Sequence, residues 1–241
     1  TKGVLPALVY FHGGGFVLGD LDSHDNLCRA LSNRLGALVV SVDYRRAPEA
    51  KFPAAFDDAW SAVQWVAGQA LELSIDPSRL LVGGDSAGGN LAANVCIKAR
   101  DSGGPAIAHQ LLFYPVCDND LGRTSYHEVG IGYFLETDMM RWFWEQYLTA
   151  PQDADKPYCC PLKADDLYNL PPATLVVGGY DPLKDEGLAY IERLRLSGVP
   201  VHSLVYPGAI HGFMSYIGML QLSNQALNET IDALQTALAR V

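Results

Sequence analysis

Leu80-Leu81-Val82-Gly83-Gly84-Asp85-Ser86-Ala87-Gly88-Gly89-Asn90 halts an apolar run at a glycine-flanked serine. The apolar pattern resumes at once, now at helical spacing, through Leu91, Ala92, Ala93 and Val95. The stretch reads as a buried strand, a sharp corner and a helix, with one hydroxyl held up from the end of a sheet. Gly84 and Gly88 stand two residues before and two after Ser86, where a Cβ would collide with the neighbouring strand and helix as the chain reverses. This is the G-x-S-x-G spacing of a nucleophile elbow, and the corner residue is expected to be strained. The spacing alone is weak, because a glycine-rich loop or a phosphate-binding turn at a helix N-terminus also contains it. The strand before and the helix after supply the context the elbow requires, and the Gly-Lys-Ser/Thr of a phosphate loop is missing.

Outward from that corner, strands and helices alternate. Pro6–Phe11 predicts a buried strand running into His12-Gly13-Gly14-Gly15-Phe16, where three bare peptides can turn several N–H groups toward one anion. Ser23 is a plausible N-cap for a helix over Leu27, Ala30, Leu31 and Leu35 that stops at Gly36. Ala37–Val42 predicts the next buried strand, and Phe52–Val66 a helix with Pro53 near its first turn. Asp57 and Asp58 near its start read as dipole partners or solvated groups. Asp76-Pro77-Ser78 is a turn signal before the central strand. Further strands are predicted over His109–Tyr114, Ala173–Val177 and Val201–Tyr206, and an amphipathic helix from about Gln221 to Val241. The alternation implies an α/β fold, a mostly parallel sheet with helices on both faces.

Composition narrows the class. The 241 residues suit one large domain, 49% of them are apolar, and no apolar run is long enough to span a bilayer. A net charge of −10 argues against nucleic acid or an anionic membrane surface as the main partner, and small neutral substrates fit better. The five cysteines, Cys28, Cys96, Cys117, Cys159 and Cys160, form neither a disulfide framework nor a zinc spacing, so a reducing, cytoplasmic compartment is expected. No cofactor or metal is expected, and a homodimer is left open.

His12-Gly13-Gly14-Gly15 followed by Gly84-Asp85-Ser86-Ala87-Gly88-Gly89 resembles the hormone-sensitive lipase family of α/β-hydrolases, a family of carboxylesterases and lipases. The likeness continues through Asp43-Tyr44-Arg45-Arg46-Ala47-Pro48-Glu49, Phe52-Pro53-Ala54-Ala55 and Asp181-Pro182-Leu183-Lys184-Asp185-Glu186-Gly187, so it covers nearly the whole chain. It implies an α/β-hydrolase fold, with Ser86 as nucleophile and the peptide N–H groups of Gly14, Gly15 and Ala87 as the oxyanion hole. Chain order and position then select the acid and the base. Asp181 lies just past a strand, after the serine and before the histidine, whereas Asp165 and Asp166 precede that strand. Asp185 and Glu186 fall in the first turn of the next helix, where the dipole alone would favour them. His211 stands on the loop after the last strand. His109 and His202 lie within strand runs, His24 and His127 have no motif around them, and His12 is expected to order the glycine loop.

Between Asp118 and Leu170 no buried strand is evident, and the segment carries Tyr126, Tyr133, Phe134, Trp142, Phe143, Trp144 and Tyr147. Met139, Met140, Phe143, Trp144 and Tyr147 recur at helical spacing. Such a stripe is a packing face, and in an insertion between strands it also suits a lid over an apolar acyl pocket. Cap segments occupy this position in the resembling family. That family also carries a longer N-terminal part, with cap helices and the first strands of the sheet, whereas this sequence starts almost at the His12 loop. A more open pocket is therefore expected, with activity on short- to medium-chain acyl esters. A binding protein or receptor that keeps the fold without the chemistry, and an amidase or peptidase using the same three residues, stay open as alternatives.

Overall fold

A computed structural model describes residues 3–239. Six strands form one sheet in the order β2-β1-β3-β4-β5-β6, and every neighbouring pair is parallel. The strands are β1 (Leu5–Phe11), β2 (Leu38–Val42), β3 (Ile75–Asp85), β4 (His109–Phe113), β5 (Ala173–Tyr180) and β6 (Val201–Ile210). Between and after them run α1 (Leu21–Leu35), α2 (Ala54–Gly68), the single turn α3 (Ala70–Leu73), α4 (Ala87–Ser102), α5 (Thr124–Val129), α6 (Thr137–Tyr147), α7 (Lys184–Leu196) and α8 (Gln221–Leu238). This is the doubly covered parallel sheet that the alternation predicts. Helices α1 and α8 pack on each other and on one side of the sheet, while α4 lies on β3 and β4 with α2 beside it. Parallel strands covered on both faces read as continuous apolar runs, and Ala7–Phe11 and Leu80–Val82 are fully buried.

Several boundaries differ from those expected. Asp20, not Ser23, caps α1: its carboxylate accepts the Ser23 N–H, and the Ser23 hydroxyl accepts the N–H of Asp20 in return, so Ser23 completes a reciprocal box from inside the helix. β2 is half-buried along its whole length, because it is an edge strand with one neighbour. The Asp76-Pro77-Ser78 turn sits inside β3 as an irregularity, where Asp76 accepts from the Ser78 N–H and hydroxyl while Ile75 already pairs with Leu5. β5 and β6 run past their apolar stretches, and the pairing of Tyr180 with Ile210 carries β6 through Pro207 and Gly208. Along the expected α6 stripe, Met140, Phe143, Trp144 and Tyr147 are buried but Met139 is exposed. The α8 expectation ends on residues outside those described.

Candidate active site

Ser86 follows β3, Asp181 follows β5, His211 follows β6 and His12 follows β1, so a parallel sheet delivers all four to one end. Ligands of open α/β sheets bind beyond the carboxyl ends of the strands. At the corner Ser86 has φ 56° and ψ −117°, a left-handed conformation that costs a non-glycine residue free energy. Two parallel hydrogen-bond anchors hold it there. Ser86 donates its N–H to Phe113 at 2.9 Å and accepts the Val116 N–H at 3.0 Å, while Asn90 donates to the same carbonyl to begin α4. Gly88 passes so close to β1 that a Cβ would overlap the carbonyls of Phe11 and His12.

The three side chains selected by chain order meet. His211 Nε2 lies 3.0 Å from Ser86 Oγ, and His211 Nδ1 lies 2.8 Å from Asp181 Oδ2. Asp181 is fully buried, and its other oxygen accepts the Leu183 N–H at 2.8 Å. The carboxylate thus has a fixed orientation, and it selects the tautomer with the proton on Nδ1, leaving Nε2 as an acceptor toward the serine. The Tyr114 ring stands edge-on to the His211 ring with centroids 4.7 Å apart.

The glycine loop crosses the same end. Among the described residues, the peptide N–H groups of Gly14, Gly15 and Ala87 make no hydrogen bond within the protein. Ala87 opens α4, where the helix dipole adds partial positive charge. His12 orders the loop as expected: it is buried, its Nδ1 lies 2.8 Å from the Gly13 carbonyl, and its ring stacks on Tyr44. Burial holds its pKa below the ordinary value.

The segment 118–170 leans on these loops. The Phe143 ring lies against Gly15, and Phe16 stacks on Tyr147 with centroids 3.8 Å apart. Tyr133 stacks on Tyr180, beside Asp181, and Phe134 lies against Gly212, beside His211. Lys51 donates to the carbonyls of Glu145, Gln146 and Leu148, capping the C-terminus of α6 with a cation.

The other acids and histidines fall elsewhere. Asp165 and Asp166 are exposed, the latter pairing with Arg100, and Asp58 pairs with Arg45. His109 is buried against Thr174 at 2.9 Å, and burial pushes its pKa down to about 4. Two residues take on roles that sequence reasoning missed. Glu186, expected in the first helical turn on dipole grounds alone, is fully buried there, accepting from the N–H groups of Cys117 and Asp118 and from the Tyr126 hydroxyl. Burial raises its pKa to about 8 against the pull of those donors. His24 sits 3.2 Å from Asp85, the residue before the serine. Burial opposes its charge, yet the hydrogen bond to Asp85 and the charge there raise its pKa. Neither position carries a local signal, since an acid in a first helical turn and a histidine near an N-cap are ordinary surface choices.

Comparisons with known proteins bear on the fold and the family. A family model described as alpha/beta hydrolase fold matches residues 8–215. The chain is 43% identical over 235 residues to "Esterase LipI" of Mycobacterium tuberculosis, covering 97% of this chain and 73% of that one. It is 42% identical over 235 residues to "Ethyl acetate hydrolase" of Pseudomonas putida, covering 96% and 73%. Its structure matches that of an esterase from Pyrobaculum calidifontis with a TM-score of 0.95 at 45% identity, over 98% of this chain and 78% of that one. Among the described residues no helix is long and apolar enough to cross a membrane.

Proposed function

The chain belongs to the α/β-hydrolase family, in its hormone-sensitive lipase branch, and from that membership we propose a serine carboxylesterase acting through Ser86, His211 and Asp181. One observation carries the reading: the unbroken run from Asp181 Oδ2 to His211 Nδ1 at 2.8 Å and from His211 Nε2 to Ser86 Oγ at 3.0 Å. His211 takes the proton from Ser86 as the hydroxyl oxygen attacks the ester carbonyl, and Asp181 stabilises the imidazolium that forms. The carbonyl oxygen becomes an oxyanion that accepts from the unused N–H groups of Gly14, Gly15 and Ala87. The intermediate collapses, the C–O bond to the alcohol breaks, and His211 hands its proton to the departing oxygen. Water then repeats the sequence on the acyl-serine, releasing the acid.

Segment 118–170 serves in this reading as a cap, its aromatic side chains forming an apolar wall beside the glycine loop that suits short to medium acyl chains. The five cysteine thiols are buried and unpaired, which suits a reducing compartment such as the cytoplasm. The test is hydrolysis of p-nitrophenyl esters of graded acyl length, with mass-spectrometric location of an organophosphate label. Turnover that falls with chain length and a label on Ser86 are expected. Hydrolysis with the label absent from Ser86 overturns the nucleophile, and neither hydrolysis nor labelling leaves a binding protein on the hydrolase scaffold.

A further inference from the structure

The buried carboxylate next to the nucleophile has no part in the proton transfer, yet three elements converge on it. Asp85 is 5% exposed at the end of β3. Its Oδ1 accepts the Tyr10 hydroxyl at 2.8 Å, from β1, and the Gly13 N–H at 3.0 Å, from the glycine loop. Its Oδ2 lies 3.2 Å from His24 Nε2, from α1. A hydrogen bond to a carboxylate requires the proton on that nitrogen, so His24 is the donor. The pair and its neighbours hold Asp85 below the usual carboxylate range even though burial acts the other way. Asp85 is therefore an anion in the interior, and anions there persist only when every lone pair is matched.

His24 is itself held from behind. Its Nδ1 lies 3.0 Å from the Ser23 hydroxyl, a member of the capping box of α1, so the imidazole is tethered to the helix start on one side and to Asp85 on the other. Because Nε2 spends its proton on Asp85, the nearby Gly13 N–H takes Asp85 Oδ1 and not the imidazole as its acceptor, and the His24 ring lies 5.6 Å from that of His12. We propose that His24 is a positioning residue for the oxyanion loop: it orients Asp85, Asp85 fixes the Gly13 peptide, and that peptide aims the free N–H groups of Gly14 and Gly15. The assignment rests on the esterase reading above. The Asp85 oxygens can accept from water or rotate once one donor is gone, and the His12–Gly13 peptide, held on its carbonyl side by the Tyr44 hydroxyl at 2.7 Å, then loses the fixed acceptor on its N–H side.

The test compares His24→Ala, His24→Asn and His24→Gln with the parent and with Ser86→Ala, using p-nitrophenyl acetate and a trifluoromethyl ketone. The ketone forms a serine adduct whose oxygen sits where the oxyanion does. Active sites are titrated so that each rate refers to competent enzyme. His24→Ala and His24→Asn, too short to reach Asp85, are expected to lower kcat on the order of tenfold or more with KM little changed. They should also weaken the ketone by a similar factor. Glutamine can present an N–H near the place of Nε2 and should recover most of both. Should the alanine variant not fold, the asparagine and glutamine pair decides. Equal kcat per active site and equal ketone affinity across the series overturns the proposal, as does a loss confined to the fraction of active enzyme. If Ser86→Ala keeps its hydrolysis, the esterase reading fails instead, a result separable from the first.

Discussion

Glu186 Oε1 lies 2.7 Å from the peptide nitrogen of Cys117, so the first turn of α7 grips the loop whose Val116 N–H holds the Ser86 carbonyl. The acid that follows Asp181 by five residues in sequence thereby anchors the loop that holds the serine corner. Its pKa of about 8 stands well above the ordinary 4.5, with burial as the leading cause. Between those values the folded chain holds a proton that the unfolded chain releases. The stability contributed by this group is fully present below about 4.5 and is lost as pH rises through about 8. Glu186→Gln keeps an acceptor for Cys117 and Asp118 and cannot ionise. The melting temperature of the parent minus that of the variant should therefore become more negative between pH 5 and pH 9. A difference that stays constant with pH would show that Glu186 is ionised throughout.

Replacing Asp181 by asparagine leaves the size of the side chain unchanged but removes the anion opposite His211 Nδ1. The amide can turn its N–H₂ toward the ring and favour the wrong tautomer. A fall in kcat of about 10⁴ is expected, with the fold intact by circular dichroism. A loss of less than about tenfold would move the acid to another residue.

Gly15 takes φ 61° and faces the Phe143 ring, so an alanine there is strained in its backbone and meets an aromatic wall. The free N–H of this residue should be turned aside, and Gly15→Ala is expected to lose on the order of a hundredfold in kcat. Adding Phe143→Ala makes room for the new methyl group. A double-mutant cycle should then show positive coupling, the second change costing less in the Gly15→Ala background than in the parent. Strict additivity would mean that the ring does not touch the loop.

Gly88→Ala tests the elbow through stability rather than rate. Its Cβ points at the backbone carbonyls of Phe11 and His12, which cannot move without shifting β1. A loss of about 1–3 kcal/mol or more is expected, read as a lower denaturant midpoint at unchanged slope. An unaltered midpoint would mean that α4 sits farther from β1 than it does here.

Much of this protein follows from neighbours in sequence. Apolar runs ending in glycine, with helical periodicity after them, determine the alternation and so the covered parallel sheet. The same runs place Ser86, Asp181 and His211 at strand ends in the required order, because a parallel sheet brings all those ends to one side. What the tertiary structure alone decided is where polar groups find partners. Ser23 is an inside member of its capping box because Asp20 reaches it first, and Glu186 is buried because α7 is laid against the loop after β4. His24 faces Asp85, 61 positions away, because the first turn of α1, a helix packed on β2, reaches the end of β3. Periodicity records which face of an element is apolar. It carries no record of which distant donor will satisfy a buried charge, since that is set by the stacking of elements once the backbone hydrogen bonds of the sheet are made.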